Sequence, residues 1–175
     1  MTASLRDEQL LIRPAHVGDL DRLVDFSLAM AQETEGRQLD RVRLRQGTQA
    51  IFDEPARGFY LVAEVKNQPH QIVVGQLMIT FEWSDWRNAT FWWIQSVYVH
   101  PDWRRRGIYR AMHRHLLQEA KNRKDVCGLR LYVEKDNREA QTVYHRVGLS
   151  PSAYQVFEED FVLAKQAKLS QSSTG

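Results

Sequence analysis

Three arginines and a glycine precede a predicted helix in the stretch VHPDWRRRGIYRAMHRHLLQEA, residues 99–120. Arg104, Arg105 and Arg106 run directly into Gly107, and apolar residues recur at helical spacing from there. The first N–H groups of a helix have no partner inside it and carry partial positive charge, and a nearby glycine lets backbone approach a ligand. Because short glycine–arginine patterns are weak signals, these residues alone predict either a phosphate or diphosphate site or a solvated surface turn.

A family resemblance favours the anion site. The segment VYVHPDWRRRGIY resembles the coenzyme-binding segment of the GNAT superfamily of acetyl-CoA-dependent N-acyltransferases. Arg104 and Gly107 match the family signature of Gln or Arg, two residues, Gly, one residue, then Gly or Ala, and the valine-rich strand and proline before it match as well. Tyr109 departs from the signature, which has a small residue at this position.

A second motif follows in the order that the family has. VEKDNREAQTVYHRVGL is similar to its strand-to-helix segment, with Asn137, Ala140, Tyr144 and Gly148 at the matching positions. Two linked motifs are more specific than either alone. The resemblance extends in element order over about residues 10–161.

The resemblance implies how acetyl-CoA, the cosubstrate, would be held. Backbone groups of the strand before the turn would pair with the pantetheine arm, the N–H groups of the turn would cradle the pyrophosphate, and an arginine side chain would meet the 3′-phosphate. The residues so assigned are Val97, Tyr98, Val99, Arg104, Arg105, Arg106, Gly107, Ile108, Tyr109, Arg110, Asn137 and Tyr144. The backbone N–H of Tyr109 can serve in this cradle, and we expect its ring to point away from the phosphates.

Tyr144 is the catalytic acid that the resemblance implies, near the sulfur of the coenzyme. A phenol with a pKa near 10 can protonate a thiolate whose thiol has a pKa near 8.5, although the driving force is small. The alternative is a helix tyrosine whose ring packs on the sheet. The N–H of Val97 is a candidate donor to the oxyanion of the tetrahedral intermediate.

The general base is not identified by the resemblance. An alkylamine with a pKa of about 10.4 is only about one part in a thousand neutral at pH 7, so a base is expected. Many family members carry a carboxylate on the central strand, but WWIQSVYV offers only the neutral Gln95. Glu82 on the neighbouring strand is the first candidate, and Glu33 and Glu35 are alternatives that could instead bind a cationic acceptor. For each of these carboxylates taken alone, a solvated surface charge is the alternative and the commoner role.

The acceptor is expected to be a small-molecule amine or a peptide amine. Trp83 and Gln95 are further candidates for binding it, since an aromatic ring that faces an acidic cleft can stack on a cation. Core packing remains the alternative for Trp83.

Alternating periods predict the elements that position these residues. The expected fold class is α/β: a GNAT-like mixed, mostly antiparallel central sheet with helices on both faces, in a single domain. Strands are predicted at residues 10–15, 58–65, 72–83, 90–99, 128–137 and 153–163, and helices at 20–36, 41–55, 106–121 and 138–148. Asp19 is expected to cap the first helix.

The domain is expected to cover residues 10–161, with a flexible N-terminus at 1–9 and a polar tail at 162–175. A net charge of +2 over 175 residues gives no overall attraction to nucleic acid or to a membrane. One cysteine excludes an intrachain disulfide, and no signal peptide is evident, so a cytoplasmic location is expected.

Metal binding is not predicted, because His113 and His115 are two residues apart on a helix and point in different directions. A homodimer is possible. Two other functions stay open: a coenzyme-A-binding protein without catalysis, suggested by the missing carboxylate, and a nucleic-acid-binding module that uses the basic helix, which the nearly balanced charge disfavours.

Overall fold

The computed structural model describes residues 10–67 and 70–163. The N-terminus expected to be flexible, residues 1–9, and residues 164–175 of the polar tail lie outside the described residues. Over the described ranges, no helix combines the length and the apolar composition needed to cross a membrane.

A five-stranded sheet forms the centre of the molecule, with its strands in chain order: β1 (Leu10–Pro14), β2 (Gly58–Asn67), β3 (His70–Ser84), β4 (Ala89–Val99) and β5 (Val126–Leu131). The first four pair antiparallel, whereas β4 and β5 pair parallel. A parallel pair needs a long crossover, which is the connection through the third helix. The predicted meander and the predicted parallel pair are both confirmed.

Helices cover both faces of the sheet, as predicted. They are α1 (Leu20–Glu35), α2 (Arg41–Asp53), α3 (Ile108–Asn122) and α4 (Arg138–Arg146). On one face Leu23 of α1 packs with Tyr60 and Val62 of β2. On the other face α3 buries the residues that recur every fourth position, Ile108, Met112, Leu116 and Ala120. This burial fixes α3, and therefore the turn before it, against the sheet.

Two element predictions are corrected. β5 ends at Leu131 instead of continuing to residue 137, because the chain leaves the sheet to reach Asn137, which caps α4 with its side chain. Residues 153–163 form no strand in the single chain. Their β-type pattern is insufficient because a strand needs a neighbour for its backbone hydrogen bonds.

Asp19 does not cap α1 through its side chain. Its carboxylate instead accepts hydrogen bonds from the N–H of His16 (2.9 Å) and from the guanidinium of Arg13 (2.8 and 3.0 Å), which also bonds Glu64 of β2 (2.7 Å). Burial opposes ionisation of Asp19, but the hydrogen bonds from Arg13 and His16 outweigh it, so the pKa of the carboxyl is lowered. This buried cluster ties β1 to β2 and to the start of α1.

Candidate functional site

The turn before α3 has an unusual backbone. Arg105 and Gly107 both have left-handed φ angles, +63° and +80°. A Cβ built on Gly107 would meet nothing within 4 Å, so the glycine is needed for its conformation and not for space. Left-handed and right-handed residues in alternation turn successive N–H groups into one concavity that suits an anion.

The first turn of α3 adds donors to this concavity. The first bond within the helix runs from the N–H of Ala111 to the carbonyl of Gly107 (3.0 Å). Helix geometry therefore gives the N–H groups of Ile108, Tyr109 and Arg110 no carbonyl partner inside the helix. Together with the helix dipole, they favour a negatively charged group at this end.

The arginines of the turn have different surroundings. Arg104 donates through Nε to the Val99 carbonyl (2.8 Å) and through Nη2 to Glu33 of α1 (2.5 Å), so its side chain joins the turn to β4 and α1. Arg106 lies over the ring of Trp103 (4.8 Å), and its buried Nε has no partner among the described residues. Arg105 and Arg110 are exposed. Phosphate contacts are therefore open to Arg105, Arg106 and Arg110, while Arg104 is already engaged.

β4 has an open edge beside the turn. Its pairing with β5 ends at Ile94 and Leu131, but β4 continues to Val99. Val99 lies opposite Gly75, and the N–H of the next residue, His100, donates to the carbonyl of Val74 (2.9 Å). Gly75 and Val99 are therefore a non-hydrogen-bonded pair, so the N–H and carbonyl of Val99 point away from β3. Val97, two residues earlier, has the same orientation.

A β-bulge lies in β4 beside this edge. The register between β3 and β4 shifts at Ser96, whose φ angle is +49°. Gln76 of β3 is fully buried and donates through Nε2 to the carbonyl of Ser96 (3.3 Å) and to the hydroxyl of Ser27 (3.0 Å). Gln76 therefore fixes the bulge that sets the orientation of Val97. Sequence reasoning missed this residue, although a glutamine within the apolar run IVVGQLMI was a signal for it.

Tyr144 of α4 packs edge-on against Tyr109 of α3, with the ring centroids 5.7 Å apart. Burial raises the pKa of both phenols, and the buried hydroxyl of Tyr109 has no partner among the described residues. The ring of Tyr109 also lies 6.1 Å from that of His113. Tyr109 therefore contacts the proposed acid directly, a role that the sequence did not indicate.

Asn137 begins α4. Its Oδ1 accepts the N–H of Ala140 (3.0 Å), which is the usual geometry of a helix cap. The cap does not use the Nδ2 group, which leaves an amide donor for a ligand.

Glu82 and Gln95 lie on the sheet face that α1 and α2 cover. Oε1 of Glu82 accepts a hydrogen bond from Arg130 (2.7 Å), and Oε2 accepts the indole N–H of Trp93. Gln95 donates to the hydroxyl of Thr80 (2.5 Å). Trp83 is on the opposite face of β3, because successive side chains alternate, and 64% of it is exposed. The structure thus brings Glu82 and Gln95 to one face and separates Trp83 from them.

Glu33 is held by Tyr98 and Arg104. It accepts the Tyr98 hydroxyl (2.7 Å) besides the guanidinium of Arg104. Burial opposes ionisation of Glu33, but these two donors lower the pKa of its carboxyl, while burial and the bond to Glu33 raise the pKa of Tyr98 to about 12. Glu35 points elsewhere and lies near Arg37 (3.5 Å) at the exposed end of α1.

A separate groove of about 400 Å³ lies along the second half of α3, where Phe59, Phe81 and Trp92 line it. It is at the opposite end of α3 from the turn, so we do not assign it to the site. Within residues 10–67 and 70–163, no group of three or more His, Cys, Asp or Glu side chains is arranged to hold a metal ion.

Comparison with known proteins adds a family match. The model of the acetyltransferase (GNAT) family matches residues 22–149. The structure resembles that of a possible acetyltransferase from Clostridium difficile 630, with 37% identity, a TM-score of 0.80, and coverage of 88% of this chain and 99% of that one. A search of curated proteins found no significant match.

Two more distant structures support the fold. A predicted acetyltransferase with acetyl-CoA from Clostridium acetobutylicum has 19% identity, a TM-score of 0.67, and coverage of 86% of this chain and 96% of that one. AAC(6')-Iy in complex with the bisubstrate analog CoA-S-monomethyl-acetylneamine has 14% identity, a TM-score of 0.67, and coverage of 86% and 97%.

Proposed function

The chain belongs to the acetyltransferase (GNAT) family and is an acyltransferase, and from this premise we propose that it transfers an acetyl group from acetyl-CoA to a primary amine. One observation carries the proposal: the turn before α3, with left-handed Arg105 and Gly107, directly follows β4, whose edge is unpaired by β5 beyond Ile94. The diphosphate of acetyl-CoA would meet the N–H groups of the turn, and the amides of its pantetheine arm would meet the backbone groups at the edge of β4.

The turn is the proposed site of the diphosphate. The N–H groups of residues 105–110 are the proposed donors to the phosphate oxygens, because Arg105 and Gly107 have left-handed φ angles and the positive end of α3 begins here. Arg106 is the proposed partner of the 3′-phosphate, because its Nε is buried without a partner. Arg104 contributes indirectly, since it holds the turn against Val99 and Glu33.

The open edge of β4 is the proposed site of the pantetheine arm. Val97 and Val99 direct backbone groups away from β3, so the arm can pair with them as an added strand would. The carbonyl of Val99 already accepts Arg104, so Val99 offers its N–H. The Nδ2 group of Asn137 is a second donor for the arm.

The proposed reaction is direct attack. The amine nitrogen bonds to the thioester carbonyl carbon, the carbonyl electron pair moves to oxygen, and the Val97 N–H stabilises that oxyanion. Collapse breaks the C–S bond, and Tyr144 gives its proton to the leaving thiolate. The attacking amine loses a proton, and Tyr144 regains one through solvent, which leaves an amide and coenzyme A.

The amine is proposed to approach along the face that carries Glu82 and Gln95. Glu82 is the proposed proton acceptor through a chain of water molecules, because it lies opposite Phe91, six residues along β4 from Val97, and Arg130 and Trp93 already bond its two oxygens. Glu33 is better suited to hold the turn or an ammonium group, because its lowered pKa makes it a weak base. Glu35 and Trp83 lie apart from this face and have no role in the proposal.

A panel of amines tests the proposal: polyamines, amino acids, aminoglycosides and peptide amino termini, each incubated with acetyl-CoA. We expect at least one to release coenzyme A thiol and to gain an acetyl group by mass spectrometry. A panel that accepts no acetyl group, from a protein that binds acetyl-CoA, would contradict transfer to amines.

Arg106→Gln tests coenzyme recognition within this assay. We expect the KM for acetyl-CoA to rise roughly 10-fold or more, since a charge-assisted hydrogen bond contributes about 1.5–3 kcal/mol. The KM for the dephospho analogue, which lacks the 3′-phosphate, should change little. Arg123→Gln is the matched control, because Arg123 lies at the other end of α3, paired with Asp125 (2.7 Å). Equal effects on both coenzymes would contradict the 3′-phosphate assignment.

A further inference from the structure

Trp93 of β4 and Tyr132, the residue after β5, form an aromatic pair on the sheet face that carries Glu82. Their rings are stacked, with centroids 4.3 Å apart and planes inclined by 24°. The indole N–H of Trp93 donates to Glu82, which fixes the pair on this face. Tyr132 is 56% exposed, so part of its ring is open to a ligand.

Tyr132 lies beside the point where β4 and β5 separate. The last residues that the two strands pair are Ile94 and Leu131. Tyr132 follows directly, so it begins near the level of Gln95, two residues before Val97 with its proposed oxyanion donor. At about 3.3 Å per residue, this places it roughly 7 Å along β4 from the proposed reaction centre. A small acceptor whose amine reaches Val97 would therefore lie against Tyr132.

Arg130 continues the aromatic surface across β4. Its guanidinium carbon lies 3.6 Å from the centroid of the Phe91 ring and 5.8 Å from that of Trp93. One of its N–H groups donates to Glu82 (2.7 Å). The surface around the aromatic pair thus consists of ring faces, a planar guanidinium and a neutralised carboxylate. Such a surface favours a flat apolar group.

The charges near this surface disfavour an acceptor with several ammonium groups. Glu82 is paired with Arg130 (2.7 Å), and Glu33 is held by Arg104 and by the hydroxyl of Tyr98. Because a guanidinium already neutralises each carboxylate, a polycation would gain little net attraction here. An aromatic ring can stack without displacing either ion pair.

We propose that the preferred acceptor is a primary amine that carries an aromatic ring on a short alkyl chain, and that this ring stacks on Tyr132. The assignment depends on the proposed transfer of an acetyl group to an amine, and it makes Tyr132 and Trp93 determinants of acceptor specificity. The alkyl chain spans the distance between the ring pair and the thioester carbon beside Val97. The amine nitrogen gains the acetyl group and loses a proton, and coenzyme A leaves as the thiol.

Matched amines test the acceptor class. A series of phenylalkylamines of increasing chain length is compared with the corresponding cyclohexylalkylamines, which have a similar apolar bulk but no aromatic face, and with spermidine. We expect kcat/KM for the best phenyl compound to exceed that for its cyclohexyl counterpart by about 2- to 10-fold, as one aromatic contact provides. It should exceed that for spermidine as well.

The possible failures of this comparison are distinguishable. Equal or better use of the cyclohexyl compounds, or of spermidine, would overturn the aromatic acceptor and leave acetylation of amines intact. If the protein bound acetyl-CoA but acetylated no amine of this series or of the wider panel, transfer to amines would be contradicted, and the acceptor assignment with it.

Tyr132→Leu tests the ring contact directly. The substitution removes the aromatic face and keeps an apolar side chain, so the KM for the best phenylalkylamine should rise about 3- to 10-fold. The KM values for acetyl-CoA and for the cyclohexyl compound should change much less. Tyr132→Phe retains the ring and should keep the wild-type KM. Trp86→Leu is the matched control, because Trp86 is an aromatic residue, 84% exposed, in the turn between β3 and β4.

Two results from these variants would overturn the contact. An unchanged KM in Tyr132→Leu, or an equal rise for the phenyl and cyclohexyl compounds, would show that no ring stacks on Tyr132. A rise in Tyr132→Phe as large as that in Tyr132→Leu would assign the effect to the hydroxyl group instead of the ring.

Discussion

Tyr144 packs against Tyr109 at the start of α3, and Tyr144→Phe tests its proposed role as the acid at the scale of a single residue. We expect turnover to fall on the order of 10²-fold, because removal of a general acid typically costs at least that much. The dissociation constant for acetyl-CoA should stay nearly unchanged, since the ring is retained. Steady-state kinetics and calorimetric titration measure the two quantities.

Tyr154→Phe is the matched control for this substitution, because Tyr154 is an exposed tyrosine outside the site. It should keep wild-type turnover. If Tyr144→Phe also kept full turnover, the phenol would not be the proton donor.

Tyr109→Ala tests whether Tyr109 positions Tyr144. The substitution admits water beside Tyr144, whose pKa burial now holds above its usual value of 10.0. Renewed solvation lowers the pKa of Tyr144 toward 10.0. Because the acid must be protonated to act, the activity of Tyr109→Ala should begin to fall at a lower pH than that of the wild type. The pH profile of kcat measures this shift. If the alkaline limb of the profile were unchanged and only the stability of the protein fell, Tyr109 would have a packing role and would not position Tyr144.

At the scale of elements, the bulge in β4 depends on Gln76. Gln76→Leu keeps the buried volume but removes the donor to the carbonyl of Ser96. We expect kcat to fall roughly fivefold, because one hydrogen bond of about 1 kcal/mol no longer fixes the backbone at Val97. Ser27→Ala removes the other partner of the same amide and should leave kcat near wild type. Equal losses in the two variants would assign the effect to general packing.

The cluster that joins β1, β2 and α1 makes stability depend on pH. The pKa of Asp19 is lowered in the folded protein, so its contribution is present above the unfolded pKa of about 3.9 and is lost as pH falls through the folded value. Asp19→Asn should lower the free energy of unfolding by about 1–3 kcal/mol at pH 7, because it weakens the bonds with Arg13. The difference from wild type should shrink below about pH 4.

Urea unfolding at several pH values measures this dependence. Asp21→Asn is the control, because Asp21 forms an exposed ion pair with Arg45 (3.2 Å), which is worth at most about 1 kcal/mol. A constant difference between wild type and Asp19→Asn from pH 7 to pH 3 would disagree with the lowered pKa.

The sequence predicted elements whose signals are periodic or local. Ile108, Met112 and Leu116 marked the buried face of α3, and the arginines before Gly107 marked the turn that the structure forms. The roles given to individual site residues remain predictions. The bulge at Ser96 was not predictable, because it depends on a buried amide twenty residues earlier in the chain. The hydrogen bond between Arg104 and Glu33 was also not predicted, because it joins residues 71 positions apart in the sequence.

For the molecule as a whole, acetyl-CoA is expected to stabilise the fold. Its proposed site draws on β4, α3 and α4, so unfolding would release the ligand. Acetyl-CoA at about 100 times its dissociation constant adds about 2.7 kcal/mol, which raises the Tm by roughly 5–10 °C for a domain of this size. A thermal melt measures the shift, and acetate with free adenine is the control that should give none. A melt unchanged by millimolar acetyl-CoA would contradict the coenzyme site.

The parallel pairing of β4 with β5 has a consequence for how the protein folds. β2, β3 and β4 can pair through short turns, whereas β5 can join only after the α3 crossover has formed, and contacts distant in sequence form slowly. The site spans that late junction, so it is incomplete while the chain crosses its folding barrier. Coenzyme would then slow the unfolding rate and leave the rate of folding almost untouched, so that it prolongs the lifetime of the native protein without helping to make it.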